Sequence, residues 1–196
     1  MIRMGEEKDW EKALKKALND VLKDLNKGIY LREENIQAMI YHYLRERLPK
    51  KYTVFNEFKY YWKHRKDGCD FDLAILQDWN SEKDNEICSA DGKKKYRYGK
   101  VVGVIELKLS GSLNRIWARG SVGCNYVDKR IQQKDLKKFI RLKQHKSQLT
   151  NLERAYLCLF EGEHKSYFED NELPDKTKIL SYVKKNGKWS LFKSKK

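Results

Sequence analysis

The stretch VVGVIELKLS, residues 101–110, decides the reading of this chain. Val101, Val102, Val104 and Ile105 are β-branched, the composition of a strand inside a sheet. Glu106 and Lys108 interrupt it two residues apart, which in a strand places both charges on one face. Charges in apolar surroundings need partners or a task, and the VVGVI that precedes them argues against an exposed edge. Thirty-four residues before Glu106, DFDLAIL at 70–76 repeats the pattern, with Asp70 and Asp72 on one face at the start of an apolar run. If the two strands are neighbours, a carboxylate from each meets at the sheet edge. Hard oxygen ligands arranged this way suit Mg²⁺, with Mn²⁺ as substitute, because Mg²⁺ keeps several waters and binds one or two carboxylates plus a substrate phosphate. A lysine beside them orients or deprotonates a water. That is a layout for phosphodiester hydrolysis, in which metal and positive charge stabilise the phosphoryl oxygens.

Upstream, Trp10, Ala13, Leu14, Ala17, Leu18, Val21, Leu22 and Leu25 recur at three- and four-residue steps, predicting an amphipathic helix over 7–27 that stops near Gly28. A second helix is predicted from about Leu31 to Leu48, with Ile36, Met39, Ile40, Tyr43, Leu44 and Leu48 on one stripe and Pro49 at its end. Residues 52–62, dense in aromatic and β-branched types, read as a strand. The polar stretch 78–100 reads as an exposed, flexible loop. Downstream of a Gly/Ser-containing loop, a third long helix is predicted from about Tyr126 to Gln148. RAYLCLF at 154–160 has the apolar run of a buried strand. KILSYVKK and KWSLFK flank Asn186-Gly187, a hairpin signal, because both turn residues tolerate φ > 0. The order ααβββαβββ implies one mixed sheet with helices against it.

The length, 196 residues, suits one domain, and 36% charged residues with no apolar run near a membrane span predict a soluble, cytoplasmic protein without a membrane partner. Cys69, Cys88, Cys124 and Cys158 are 19, 36 and 34 residues apart, so no C-x-x-C pair seeds a zinc or redox site. No P-loop and no H-E-x-x-H occurs. The 43 Lys and Arg against 28 Asp and Glu give a net charge of +15, a field that attracts polyanions and makes nucleic acid the first partner to expect.

Asp72 before an apolar strand, then Glu106-Leu107-Lys108 closing the next one, resembles the PD-(D/E)XK nuclease superfamily. The resemblance spans about residues 30–160 in the order and spacing of elements. It implies an α/β restriction-endonuclease-like fold: a three-layer core, a mixed central β-sheet flanked by helices. The N-terminal helix 7–27 and a C-terminal β-hairpin, 178–193, would be additions. It implies that Asp72 and Glu106 hold the divalent metal, that the Leu107 carbonyl adds a ligand, and that Lys108 positions the attacking water. The superfamily often adds a glutamate from the preceding helix. Glu33 fits that place, since Ile36 and Ile40 lie three and seven positions on; Glu34 is the alternative. Phe71 stands where proline often precedes the aspartate, so Asp70 stays as an alternative to Asp72.

Further residues are expected to bind the nucleic acid. Arg115, Trp117 and Arg119 follow the site strand, where guanidiniums grip phosphates and an indole stacks on a base. Lys63 and Arg65 sit in a second basic, aromatic cluster, and KKKYRY at 93–98 makes a third. Lys129, Arg130, Gln133 and Lys134 on the third helix would form a polar wall beside the metal. The expected activity is Mg²⁺-dependent endonuclease cleavage of double-stranded or branched DNA, of restriction, mobile-element or junction-resolvase type. Many members of the superfamily act as homodimers, so a homodimer is a further expectation. Two rival readings remain: a basic nucleic-acid-binding protein without catalysis, and an RNA nuclease on the same fold.

Overall fold

The computed structural model describes residues 7–28, 32–61, 68–79, 86–88, 94–96, 100–109, 152–161 and 177–191. The first predicted helix is α1, Asp9–Asn26. Glu11 fixes its start by accepting the Lys8 N–H at 3.2 Å, and Gly28, at φ 88°, follows its last turn in the left-handed conformation that glycine adopts without strain. The whole apolar stripe from Trp10 to Leu25 is buried. Helix α2, Glu33–Arg47, buries Ile36, Ile40 and Leu44 together with the amide of Gln37. The Tyr43 hydroxyl donates to Asp24 and Arg47 Nη2 to Asp20 at 2.6 Å, fastening the two helices side by side.

The strands are β1 (Tyr52–Tyr61), β2 (Gly68–Gln77), β3 (Glu86–Cys88), β4 (Lys94–Tyr96), β5 (Lys100–Leu109), β6 (Arg154–Glu161), β7 (Thr177–Lys185) and β8 (Lys188–Leu191). Six of them form one mixed sheet in the order β1-β2-β5-β6-β7-β8. β1, β2 and β5 are antiparallel, β5, β6 and β7 run parallel, and β8 returns antiparallel to β7. The chain is therefore α/β, as its sequence predicts. The stretch 78–100 departs from its reading as a loop, because it contains the small antiparallel pair β3–β4. Three residues per strand are too few for an alternating pattern to show in the sequence. The third helix predicted at 126–148 lies outside the described residues.

One hydrophobic cluster joins α1 and α2 to a face of the sheet through Leu73, Ile75, Ile105, Leu107, Tyr156, Phe160, Tyr182 and Trp189. Trp10 is its largest fully buried side chain. Its ring meets Tyr156 edge-on at 5.9 Å, its Nε1 donates to Glu153 at 2.9 Å, and its ring covers Gly103. A Cβ at position 103 would stand 2.8 Å from the ring, so only glycine admits this approach. A second cluster, including Phe58, Phe71, Val104, Leu157 and Leu159, occupies the other face. Helix α1 and the β7–β8 hairpin thus share a core with the central strands. Asn26 ties them together: its side chain accepts the Trp189 N–H at 2.6 Å and donates to the Trp189 carbonyl at 3.1 Å. Edge strands invite pairing with other chains, and this amide occupies the backbone of the edge strand β8.

A bulge sets which way β5 faces. Ile75 pairs with Gly103 and Leu76 with Val101, so Val102 is an extra residue on β5. Val101 joins the second cluster and Val102 the first; beyond the bulge, Val104 returns to the second while Ile105, Leu107 and Leu109 face the helices. Glu106 and Lys108, alternating with Val104, fall on its face. Among the described residues, no helix is long and apolar enough to cross a membrane.

Candidate active site

The candidate residues meet where the sheet comes apart. β2 and β5 stay in register only to the pair Leu73–Ile105. The next step along each strand is Asp72 on β2 and Glu106 on β5, and from there the two strands no longer pair. β1 is irregular at the same level: Asn56 pairs with Leu73 and Phe58 with Phe71, while Glu57 between them, opposite Asp72, sits at φ 50°. A non-glycine residue in that region stores strain, and such positions concentrate at functional sites.

Parting leaves β5 backbone groups to be satisfied. The Leu107 N–H donates to Asp72 Oδ2 at 2.6 Å, and the Leu109 N–H to Glu33 Oε2 at 2.9 Å. Two carboxylates thus take positions that β2 backbone would fill in a continued ladder. Glu33 can do this because it is the first residue of α2, whose start lies over the end of β5. Its other oxygen accepts from Lys108 Nζ at 3.1 Å. Lys108 also lies 3.6 Å from Glu106 Oε1, and Glu106 is 1% exposed. Desolvation of a carboxylate at that depth is offset only by partners, and the ammonium supplies one. One turn after Glu33, the buried Gln37 donates through Nε2 to the Asp72 carbonyl at 3.0 Å and to Asn56 Oδ1 at 2.8 Å. That amide joins helix, β1 and β2 at the level where pairing ends.

Asp72, Glu106, Lys108 and Glu33 are therefore brought to one place, from β2, β5 and α2. Within a strand, the N–H and C=O of one residue point to the same edge. The Leu107 carbonyl accordingly faces the gap that its N–H spans. Asp70 and Glu34, the two alternatives, are exposed. Lys63, Arg65, Arg115, Trp117, Arg119, Lys129, Arg130, Gln133 and Lys134 lie outside the described residues.

Among the described residues, no group of three His, Cys, Asp or Glu side chains is placed to hold a metal ion. The donor chemistry nonetheless suits Mg²⁺, which uses one or two carboxylates and takes its remaining ligands from water and phosphate.

Gln37 and Cys158 were not among the expected site residues. Gln37 had a legible signal, an amide between Ile36 and Ile40 on the buried stripe. Cys158, register partner of Leu107 on β6, is a buried free thiol; burial pushes its ionisation up, and the Asp72 charge adds to the shift. It is an inert thiol. Compared with protein-family models, curated proteins and solved structures, the chain matches none.

Proposed function

We propose that this chain is a metal-dependent nuclease that hydrolyses phosphodiester bonds in DNA, built on a restriction-endonuclease-like fold and working as a homodimer when both strands are cut. The observation that carries this reading is the convergence of Glu33 and Glu106 on Lys108, next to the Leu107 N–H that Asp72 holds, where β2 and β5 part. A protein that only binds a polyanion gains nothing from two carboxylates on a lysine and a third on the neighbouring backbone N–H, since their charge opposes the phosphate.

Asp72, Glu106 and the Leu107 carbonyl would hold Mg²⁺ or Mn²⁺, which polarises the phosphoryl oxygen and lowers the pKa of bound water. Lys108, fixed between Glu33 and Glu106, holds the attacking water in line with the phosphorus and places positive charge beside the developing oxyanion. Glu33 orients Lys108 and closes the open edge of β5. Gln37 keeps the Asp72 backbone in place. The net charge of +15 draws the DNA to the surface.

The test is to incubate the protein with supercoiled plasmid, with a branched duplex and with a single-stranded and a double-stranded RNA, under Mg²⁺, Mn²⁺ and EDTA, beside Lys108→Ala. Nicking that requires metal and is lost in the variant, with DNA binding retained, supports the nuclease. Tight binding with no cutting under any metal points to the non-catalytic binding protein, and cutting confined to RNA to the ribonuclease.

A further inference from the structure

More than half of the net charge of +15 lies in residues 176–196, which contain eight lysines and no Asp or Glu. The described part of this segment is β7, the Asn186-Gly187 turn and β8. Both turn residues have positive φ, 49° and 77°, the two-residue geometry that joins twisted strands without splaying them. The hairpin is firmly seated. Tyr182 and Trp189 are buried in the helix-side cluster, Phe160 stacks on Tyr182 at 4.9 Å, and Asn26 holds the Trp189 backbone on both sides.

Its tip carries an arrangement that folding alone does not favour. Lys185 and Lys188 stand directly opposite one another, and like charges so placed destabilise a strand pair. Lys188 and the turn are exposed. An anion between two such lysines removes the repulsion.

The sheet places this tip beside the candidate active site. β5, β6 and β7 are parallel, and Lys108, Leu159 and Ser181 lie at one level. β7 continues four residues past that level to Lys185, at the same end of the sheet as Glu106 and Lys108. Four residues along, with two strand spacings across for position 185 and three for position 188, put the pair roughly 16–20 Å from position 108. The faces agree as well. Position 185 alternates with Val183 and Ser181 from Ile179, which packs on the cluster containing Val104, and Glu106 and Lys108 alternate with Val104. At a rise of 3.4 Å per base pair, roughly 16–20 Å corresponds to about five to six base pairs.

We propose that Lys185 and Lys188, at the tip of the β7–β8 hairpin, grip the phosphate backbone of double-stranded DNA about five to six base pairs from the phosphate at the candidate active site. This rests on the reading of the chain as a DNA-cutting enzyme, but the grip itself needs no cleavage. Because the hairpin is anchored by Asn26 and Trp189, the backbone at positions 185 and 188 is held at a fixed separation from β5, which spares the cost of ordering a loop on binding.

The 196-residue chain is titrated in EDTA, where nothing is cut, with a fluorescent 30-base-pair duplex over a range of salt concentrations and, separately, with phosphatidylserine vesicles. Each phosphate contact contributes about 0.9 to the slope of log K against log salt, so Lys185→Gln/Lys188→Gln is expected to lower the slope by about 1.8. Lys185→Arg/Lys188→Arg is expected to retain it. The glutamine pair removes a like-charge opposition, so its thermal midpoint is expected at or above that of the wild type. An unchanged slope in the glutamine pair, with the wild type binding DNA, overturns the grip and leaves the nuclease reading standing. A wild type that binds no duplex overturns both. A defect of the glutamine pair on phosphatidylserine vesicles, with DNA binding unaltered, assigns the hairpin to an anionic membrane and overturns the proposal.

Discussion

The Leu107 N–H donates to the Asp72 carboxylate at 2.6 Å, across the gap that opens when β2 and β5 stop pairing. One carboxylate thereby does two things: it replaces a missing rung of the ladder, and it stands one register step beyond Leu73–Ile105, opposite Glu106. The stability of β5 and the chemistry of the site share a side chain, and substitutions that change its charge and its hydrogen-bonding capacity separately will tell the two apart.

Asp72→Asn keeps an oxygen to accept the Leu107 N–H but loses the charge. It is expected to unfold in urea within about 1 kcal/mol of the wild type, whereas Asp72→Ala, which leaves a partly buried N–H unanswered, loses about 1–3 kcal/mol. Both are expected to lose Mn²⁺ binding in calorimetry. Retained Mn²⁺ affinity in both would place the metal elsewhere.

Gly103→Ala sets a Cβ 2.8 Å from Cη2 and Cζ3 of Trp10. The ring is wholly buried and fastened by the bond from its Nε1 to Glu153, so it cannot move aside cheaply. Overpacking of this kind costs about 1–3 kcal/mol. The urea midpoint is expected to fall with an unchanged m-value; an unaltered midpoint would show that α1 does not bear on β5 here.

Glu11 predicts a pH dependence. Burial opposes its ionisation. The Tyr156 hydroxyl at 2.6 Å, the Lys8 N–H, Lys178 and Arg154 outweigh that and bring its pKa below the ordinary 4.5. A carboxyl with a lowered native pKa stabilises the fold above its unfolded pKa, and that contribution disappears as pH falls through the native value. Glu11→Gln is therefore expected to be less stable than the wild type at pH 7, by about 1–3 kcal/mol for a hydrogen-bonded buried charge. The difference is expected to hold down to about pH 5 and to shrink below 4.5. A gap that does not change with pH in chemical denaturation would assign the effect to packing.

Asn26→Ala removes both bonds to Trp189. The expected loss is about 1–2 kcal/mol in denaturant, given the net worth of two hydrogen bonds. The variant also uncovers the edge of β8, so light scattering on heating is expected to rise earlier than the unfolding signal does in the wild type. Scattering that tracks the wild type would mean the edge is protected by something other than this amide.

Much of the architecture was legible because it depends on local chemistry. The stripe from Trp10 to Leu25 defined α1, Gly28 marked its end, Pro49 closed α2, and Asn186-Gly187 announced the hairpin. The runs DFDLAIL and VVGVIELK became strands, with two acids and a lysine in places where apolar residues were expected. The β3–β4 pair was illegible because strands of three residues carry no period. The amide of Gln37 on the buried stripe was a signal that it has a partner, but the partners themselves, Asn56 and the Asp72 carbonyl, lie 19 and 35 residues away.

What the sequence by itself determined was the two helices, the long strands, the terminal hairpin and the charges set into apolar strands: helical and alternating periods come from near neighbours, and a charge inside an apolar run is conspicuous without coordinates. Only the tertiary structure decided which charges meet. The Val102 bulge shifts the alternation of β5, and with it the face on which Glu106 and Lys108 fall. The parting of β2 from β5 brings Asp72 to Leu107, and the placement of α2 brings Glu33 to Lys108, 75 residues away in the chain. Register and strand order are set by long-range packing and backbone pairing, whose partners are remote in sequence, so no window of neighbouring residues contains them.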